Sequence, residues 1–140
     1  EGTSNDYFPP EVPALPSFAL EKAISTTIRD KGFDYWTGTC YTTNRRVWEH
    51  DVKFKNYLKL IRVMAIDMET ATILTTGFYN RIPTGALLLV SDQPMIPEGV
   101  KTAKSDSEVT TKYVDRHLDI GIDSLKQLIN NGNTVKHLKY

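Results

Sequence analysis

Residues 86–90, ALLLV, carry no charge and run straight into Ser91 and Asp92. A strand so uniformly apolar is normally covered on both faces of a sheet, which demands partner strands beside it and helices above and below. The stretch that precedes it, from Met64, adds Asp67 and Glu69 at the start of a helical pattern. There Ala71, Leu74 and Phe78 share one face until residues 80–83 break the period. Carboxylates therefore stand where buried elements begin and end, and in open α/β sheets ligands collect at strand ends.

The remaining segments supply the cover such a strand needs. Residues 1–16 hold four of the seven prolines, with Gly2, Ser4, Asn5 and Asp6, and read as a turn-rich connection with little regular structure. After Ser17, a cap candidate, Leu20, Ala23, Ile24, Thr27 and Ile28 recur at helical spacing until Gly32. Residues 35–43, YWTGTCYTT, predict a strand that delivers Asn44, Arg45 and Arg46 to a loop. Residues 51–60 predict a surface helix on Phe54, Tyr57 and Leu58, and residues 63–66 a short strand.

Beyond Asp92, residues 93–99 contain two prolines and a glycine and predict a loop able to close over a ligand. Ser105 and Glu108 have the spacing of a capping box, and Val114, Leu118, Gly121, Leu125, Leu128 and Ile129 trace the seam of a long helix stopped by Asn131 and Gly132. Residues 133–140 read as a frayed or packed extension. Three or four helices flanking two to four strands give an α/β fold class, three-layered, with a partly parallel sheet of which some strands are missing.

Composition narrows the function classes. With 140 residues, 40% of them hydrophobic and 24% charged, the chain reads as a single soluble domain. Seventeen basic residues balance seventeen acidic ones, so no global field draws it to nucleic acid or an anionic membrane, and a small ligand is expected. Cys40 is the one cysteine, which rules out a disulfide within these residues and fits a reducing, cytoplasmic compartment. His50, His117 and His137 are scattered, and no metal or cofactor site is read from the sequence. Neither a membrane span nor a signal peptide is legible, and a start at Glu1 rather than Met leads us to expect a portion of a longer protein.

Asp92 is the sharpest candidate for chemistry, because a carboxyl at the end of a buried strand is partly desolvated and suited to donating a proton near neutral pH. An aspartate there also serves as a turn former or helix cap, and position leaves both roles open. Glu69 sits where a strand hands over to a helix, able to accept hydrogen bonds from sugar hydroxyls or simply to complement the helix dipole. Asp67 reads first as an N-cap. Arg45 and Arg46, after Thr42, Thr43 and Asn44, gather donors suited to a phosphate or carboxylate, though paired arginines are commonly just solvated. Tyr41, Trp36 and Trp48 have faces on which a planar base can stack, with core packing as the default.

With these residues in view, AIDMETATILTTGFYNRIPTGALLLVSDQ, residues 65–93, resembles the Met-Glu motif and the following Ser-Asp motif of the nucleoside phosphorylase and nucleosidase family. The likeness extends to GTSNDYFPPEVPALP, DYWTGTCYTTNRRVWEHD and IPTGALLLVSDQPMIPEGVKT, so it covers essentially the whole chain. It implies a three-layer α/β/α fold with a mixed, partly parallel central sheet, of which these residues are the C-terminal half of the catalytic domain. It further implies hydrolysis of the N-glycosidic bond of AMP to adenine and ribose 5-phosphate. By the matching motifs, Asp92 protonates N7 of the purine, Ser91 flanks it, and Glu69 with Met68 holds the ribose. Tyr41 aligns with the aromatic residue that stacks on the base, and Arg45 and Arg46 are expected to meet the 5′-phosphate.

The family's Gly-rich N-terminal segment, which lines the pocket near the nucleophile, does not appear in this sequence. The 140 residues alone are therefore expected to be weak or inactive. The resemblance also implies a homo-oligomer, commonly a hexamer built from dimers. Two other readings stand beside it: a purine nucleoside phosphorylase or methylthioadenosine-type nucleosidase, and a noncatalytic nucleotide-binding or assembly module.

Overall fold

A computed structural model of the chain describes residues 4–132, so the extension expected at 133–140 lies outside the described residues. The elements run α1 (Ser4–Tyr7), α2 (Phe18–Asp30), β1 (Cys40–Thr42), α3 (Val52–Leu60), β2 (Ala65–Asp67), α4 (Thr70–Tyr79) and α5 (Ala103–Asn130). The turn-rich opening thus contains one helical turn, α1, packed on α4 through rings: Tyr7 lies 5.2 Å from Tyr79 and Phe8 5.4 Å from Phe78.

The apolar spacing from Leu20 becomes α2, which buries Leu20, Ala23, Thr27 and Ile28. Ser17 occupies its N-cap position, but the hydroxyl makes no cap bond and is buried without a partner. Instead the Ser17 N–H donates to the Thr84 carbonyl at 2.6 Å. At the other end Gly32, at φ +77°, lets the N–H of Phe33 reach back to Ile28 and its own N–H to Arg29, a Schellman stop that suits a residue without a Cβ.

α2 packs on α5, and here the expected seam is corrected. Ile120 and Ser124 are the buried residues of α5 among those described, whereas Leu118, Leu125 and Ile129 are more than half exposed. Ser124 is small and returns its hydroxyl to the Ile120 carbonyl at 2.6 Å, so its face brings little bulk between the helices. Thr27 donates to Gln127 at 3.2 Å across that seam, and Lys31 pairs with Asp123 at 2.6 Å. The expected capping box also moves: Thr102 is the N-cap, exchanging bonds with Ser105, while Glu108 faces Lys104 at 3.9 Å.

β1 and β2 form a parallel pair in which Cys40 opposes Ala65, Tyr41 opposes Ile66 and Thr42 opposes Asp67. α3 lies between them in sequence, capped by Asp51 and burying Phe54 and Leu58. The strand expected over 35–43 is confined to its last part, and the one expected over 63–66 begins at Ala65. Residues 86–90 form no strand at all, and Leu88, Leu89 and Val90 are exposed. An apolar run becomes a strand only against a ladder. Among the described residues the sheet has two strands, and the Ala86 N–H is taken by the Glu21 carboxylate at 3.0 Å instead. The described fold is therefore mostly helical around a small parallel pair.

Candidate active site

Because β1 and β2 are parallel and in register, both leave the pair at the same edge. β1 continues into Thr43, Asn44, Arg45 and Arg46, and β2 into Met68 and Glu69. The Thr43 N–H donates to the Asp67 carbonyl at 2.8 Å, carrying the pairing one residue further, and Thr43 is almost wholly buried. The Arg45 N–H then donates to the Thr43 hydroxyl at 3.0 Å, which turns the chain at that point.

Asp67 is the most heavily bonded residue of this edge. Its Oδ1 accepts the Thr42 hydroxyl at 2.6 Å, and its Oδ2 accepts both the N–H of Thr70, at 2.8 Å, and the Thr70 hydroxyl. Burial alone would raise the Asp67 carboxyl, but the bonds from Thr42 and Thr70 outweigh it and hold the group below its ordinary value. Its neighbour Cys40 moves the other way: burial first, then the charge of Asp67, pushes the thiol up to about 12. Asp67 thus caps α4 as its position suggested, although the residue directly before the helix is Glu69. The three-residue spacing of Asp67 and Thr70 is a legible cap signal; the sequence offers Thr42 as a donor beside the arginines, whereas its hydroxyl is spent on Asp67.

Met68 and Glu69 stand between these anchors with exposed side chains. Glu69 Oε2 accepts the N–H of Met68 at 3.1 Å, so its carboxylate folds back over the strand end. Tyr41, opposite Ile66, sits edge-on to Phe54 at 5.7 Å and to Tyr57 at 6.2 Å. Arg45 and Arg46 part company. The Arg45 guanidinium lies 4.6 Å from the centre of the Phe54 ring and 3.5 Å from the Asp51 carboxylate, whereas Arg46 is exposed and has no ion pair or hydrogen bond from its side chain among the described residues.

Ser91 and Asp92 are half-buried, and the Ser91 hydroxyl donates to Asp92 Oδ1 at 2.5 Å. The ammonium of Lys101, held chiefly by Asp106, also feels the charge of Asp92. The loop after it is held by its own backbone, with the N–H of Gln93 on the Gly99 carbonyl at 2.8 Å and that of Ile96 on the Gln93 carbonyl at 3.1 Å. Among the described residues, no hydrogen bond or ion pair joins Asp92 to Glu69, Met68 or the arginines. Met68 and Glu69 thus follow β2 at the same end of the pair at which Arg45 and Arg46 follow β1, Tyr41 packs within β1 against α3, and Ser91 and Asp92 lie on a separate segment.

A cavity of about 390 Å³ lies elsewhere, between α2 and α5, lined by Phe18, Lys22, Thr26 and Gln127 among others and by none of these residues. Among the described residues no group of three or more His, Cys, Asp or Glu side chains is arranged to hold a metal ion, and no helix is long and apolar enough to cross a membrane.

The model of the phosphorylase superfamily matches residues 1–129. AMP nucleosidase of Escherichia coli K12 is 36% identical over 104 residues, which are 74% of this chain and 21% of that protein. Uridine phosphorylase of Treponema pallidum is 24% identical over 140 residues, covering 92% of this chain and 52% of that protein. The crystal structure of AMP nucleosidase from Bacteroides thetaiotaomicron VPI-5482 superposes with a TM-score of 0.78 at 55% identity, over 94% of this chain and 51% of that one. The chain thus spans between about a fifth and about half the length of these relatives. With this family match and that level of identity over nearly its whole length, the chain is homologous to AMP nucleosidase and belongs to the phosphorylase superfamily.

Proposed function

We propose that the natural protein hydrolyses the N-glycosidic bond of AMP to adenine and ribose 5-phosphate, and that these residues form the C-terminal part of its catalytic domain. The observation that carries the reading is 55% identity to AMP nucleosidase over 94% of the chain, with the same backbone course. In this reading the complete domain is a three-layer α/β/α structure with a mixed, partly parallel sheet, in which residues 86–90 become a strand and bring Ser91 and Asp92 to the edge occupied by Met68 and Glu69.

Asp92 then acts as the acid. Adenine leaves poorly as an anion, and a proton placed on N7 lets the bond break toward an oxocarbenium-like sugar; positioned acid catalysis of this kind contributes about a hundred- to ten-thousandfold. Ser91 orients the Asp92 carboxyl through their hydrogen bond. Glu69, with Met68, holds the ribose hydroxyls, fixing the sugar and placing negative charge beside the developing cation. Tyr41 supplies a face for the base, and Arg45 and Arg46 the positive charge for the 5′-phosphate. No cofactor is called for, the substrate is a small molecule, and the assembly is a cytoplasmic homo-oligomer, a hexamer by analogy with the family.

Likeness to a uridine phosphorylase over 92% of the chain favours phosphorolysis as the second reading. Base release from AMP, adenosine and methylthioadenosine, each with and without inorganic phosphate, separates the two. Adenine release from AMP without phosphate is expected, and a preference for adenosine plus phosphate would overturn hydrolysis of AMP. The reaction is assigned to the natural protein at full length; the 140 residues alone are expected to be weak or inactive, which adenine release by the purified chain would refute.

A further inference from the structure

We propose that Thr42 and Asp67 are positioning residues that set the place of Glu69 and Met68, by bolting the first turn of α4 to the end of β1. This rests on the reading in which Glu69 holds the sugar, and extends it to residues that touch no substrate.

The bonding at this point is reciprocal. Thr42 has one O–H to give, and gives it to Asp67 Oδ1 at 2.6 Å; its oxygen then accepts the N–H of Ala71, in the first turn of α4, at 2.9 Å. Asp67, opposite Thr42 in the strand pair, uses its second oxygen on the N–H and hydroxyl of Thr70. Two of the orphan amides at the start of α4 are thereby satisfied by side chains from two different strands. Met68 and Glu69 form the short span between a residue fixed in β2 and a helical turn fixed to β1. With both ends of the span held, the backbone of Glu69 cannot drift relative to the strand edge.

The two threonines and the aspartate also keep one another in register. Oδ1 and Oδ2 of Asp67 point at different elements, so rotation of the carboxylate breaks bonds on both sides at once. A valine at 42 has the shape of threonine but neither donates to Asp67 nor accepts from Ala71; a serine does both. That pair of substitutions separates the hydroxyl from the bulk.

The test is adenine release from AMP, at saturating and limiting concentrations, by the natural full-length protein and its Thr42→Val, Thr42→Ser and Glu69→Ala variants, well below each melting temperature. Thr42→Val is expected to lower kcat about tenfold or more, because small misplacements of a positioning group are costly in rate, and Thr42→Ser to stay within about twofold of the parent. Turnover by folded Thr42→Val equal to the parent, with Glu69→Ala impaired, would overturn the positioning role and leave the reading of Glu69 intact. Glu69→Ala turning over like the parent, or a parent that releases no adenine, would remove the reading of Glu69 and the positioning role with it. Should Thr42→Val fail to fold, Thr70→Val removes one bond from the other side of Asp67; unchanged kcat in that variant would equally overturn the proposal.

Discussion

The guanidinium of Arg45 lies 4.6 Å from the centre of the Phe54 ring, on the helix that Asp51 caps. That contact, with the Asp51 carboxylate 3.5 Å away, ties Arg45 to the start of α3 in addition to its proposed place beside the 5′-phosphate, whereas Arg46 is exposed and has no ion pair or side-chain hydrogen bond among the described residues. Arg46→Ala is expected to weaken AMP binding by about 1.5–3 kcal/mol, roughly ten- to a hundredfold, with no loss of melting temperature. Arg45→Ala is expected to lower the melting temperature first. Titration calorimetry and thermal unfolding of the two variants read this directly, and the opposite pattern would exchange the roles.

Asp92→Asn keeps the shape of the side chain and removes its acidic proton. If Asp92 protonates the leaving base, turnover of AMP falls by about a hundred- to ten-thousandfold while nucleotide affinity stays near that of the parent. Adenine release and equilibrium binding, measured on the same preparation, distinguish loss of the acid from loss of the site.

Acid should weaken the β1–α4 junction through one identifiable group. The hydrogen bonds from Thr42 and Thr70 hold the Asp67 carboxyl below its unfolded value, so its contribution is present at neutral pH and disappears as pH falls below about 4. Asp67→Asn does not titrate. The difference in melting temperature between parent and variant is expected to be constant above about pH 5 and to shrink below about pH 4.

Cys40 offers a chemical readout of the same junction. With its thiol pushed up to about 12 by burial and by the charge of Asp67, it forms little thiolate at neutral pH. Iodoacetamide should therefore label it far more slowly than a free thiol of ordinary pKa. Asp67→Asn removes the nearby charge but not the burial, so labelling should quicken only in part, as followed by intact-mass spectrometry.

The start of α5 tests a rule of sequence reading. Ser105 and Glu108 have the right spacing for a capping box, yet the box is built by Thr102 and Ser105. Thr102→Ala is expected to cost about 0.5–2 kcal/mol, and Glu108→Ala, which loses only an exposed pair, less than about 1 kcal/mol. Denaturant unfolding of both variants decides which residue caps the helix.

Why some elements were legible and others not follows from where the information resides. Helical spacing is local, so α2, α3 and α4 could be read from Leu20, Phe54 and Leu74, each of them buried. Which face of α5 turns inward depends on its partner: the smaller Ser124 is buried against α2, while Leu118 and Leu125, though apolar, turn outward. The strand expected at 86–90 depends entirely on neighbours; Ala86 at its start bonds to Glu21, and Thr84 just before it to Ser17, at the start of α2 instead. The Met-Glu stretch was legible as a motif, and Asp67 as a cap. Thr42 was not, because its bonds reach residues 25 and 29 positions away.

The bond from Thr27 to Gln127 spans 100 positions, so the seam between α2 and α5 turns nearly the whole described chain into a closed loop. Closing a loop of that length costs about 4 kcal/mol in chain entropy beyond a constant term, which must be lost before the contact rewards it. The bond from Thr42 to Asp67 spans only 25 positions and closes a far smaller loop. By chain entropy alone, closing the edge that carries Met68 and Glu69 costs about 1 kcal/mol less than docking the long helix α5.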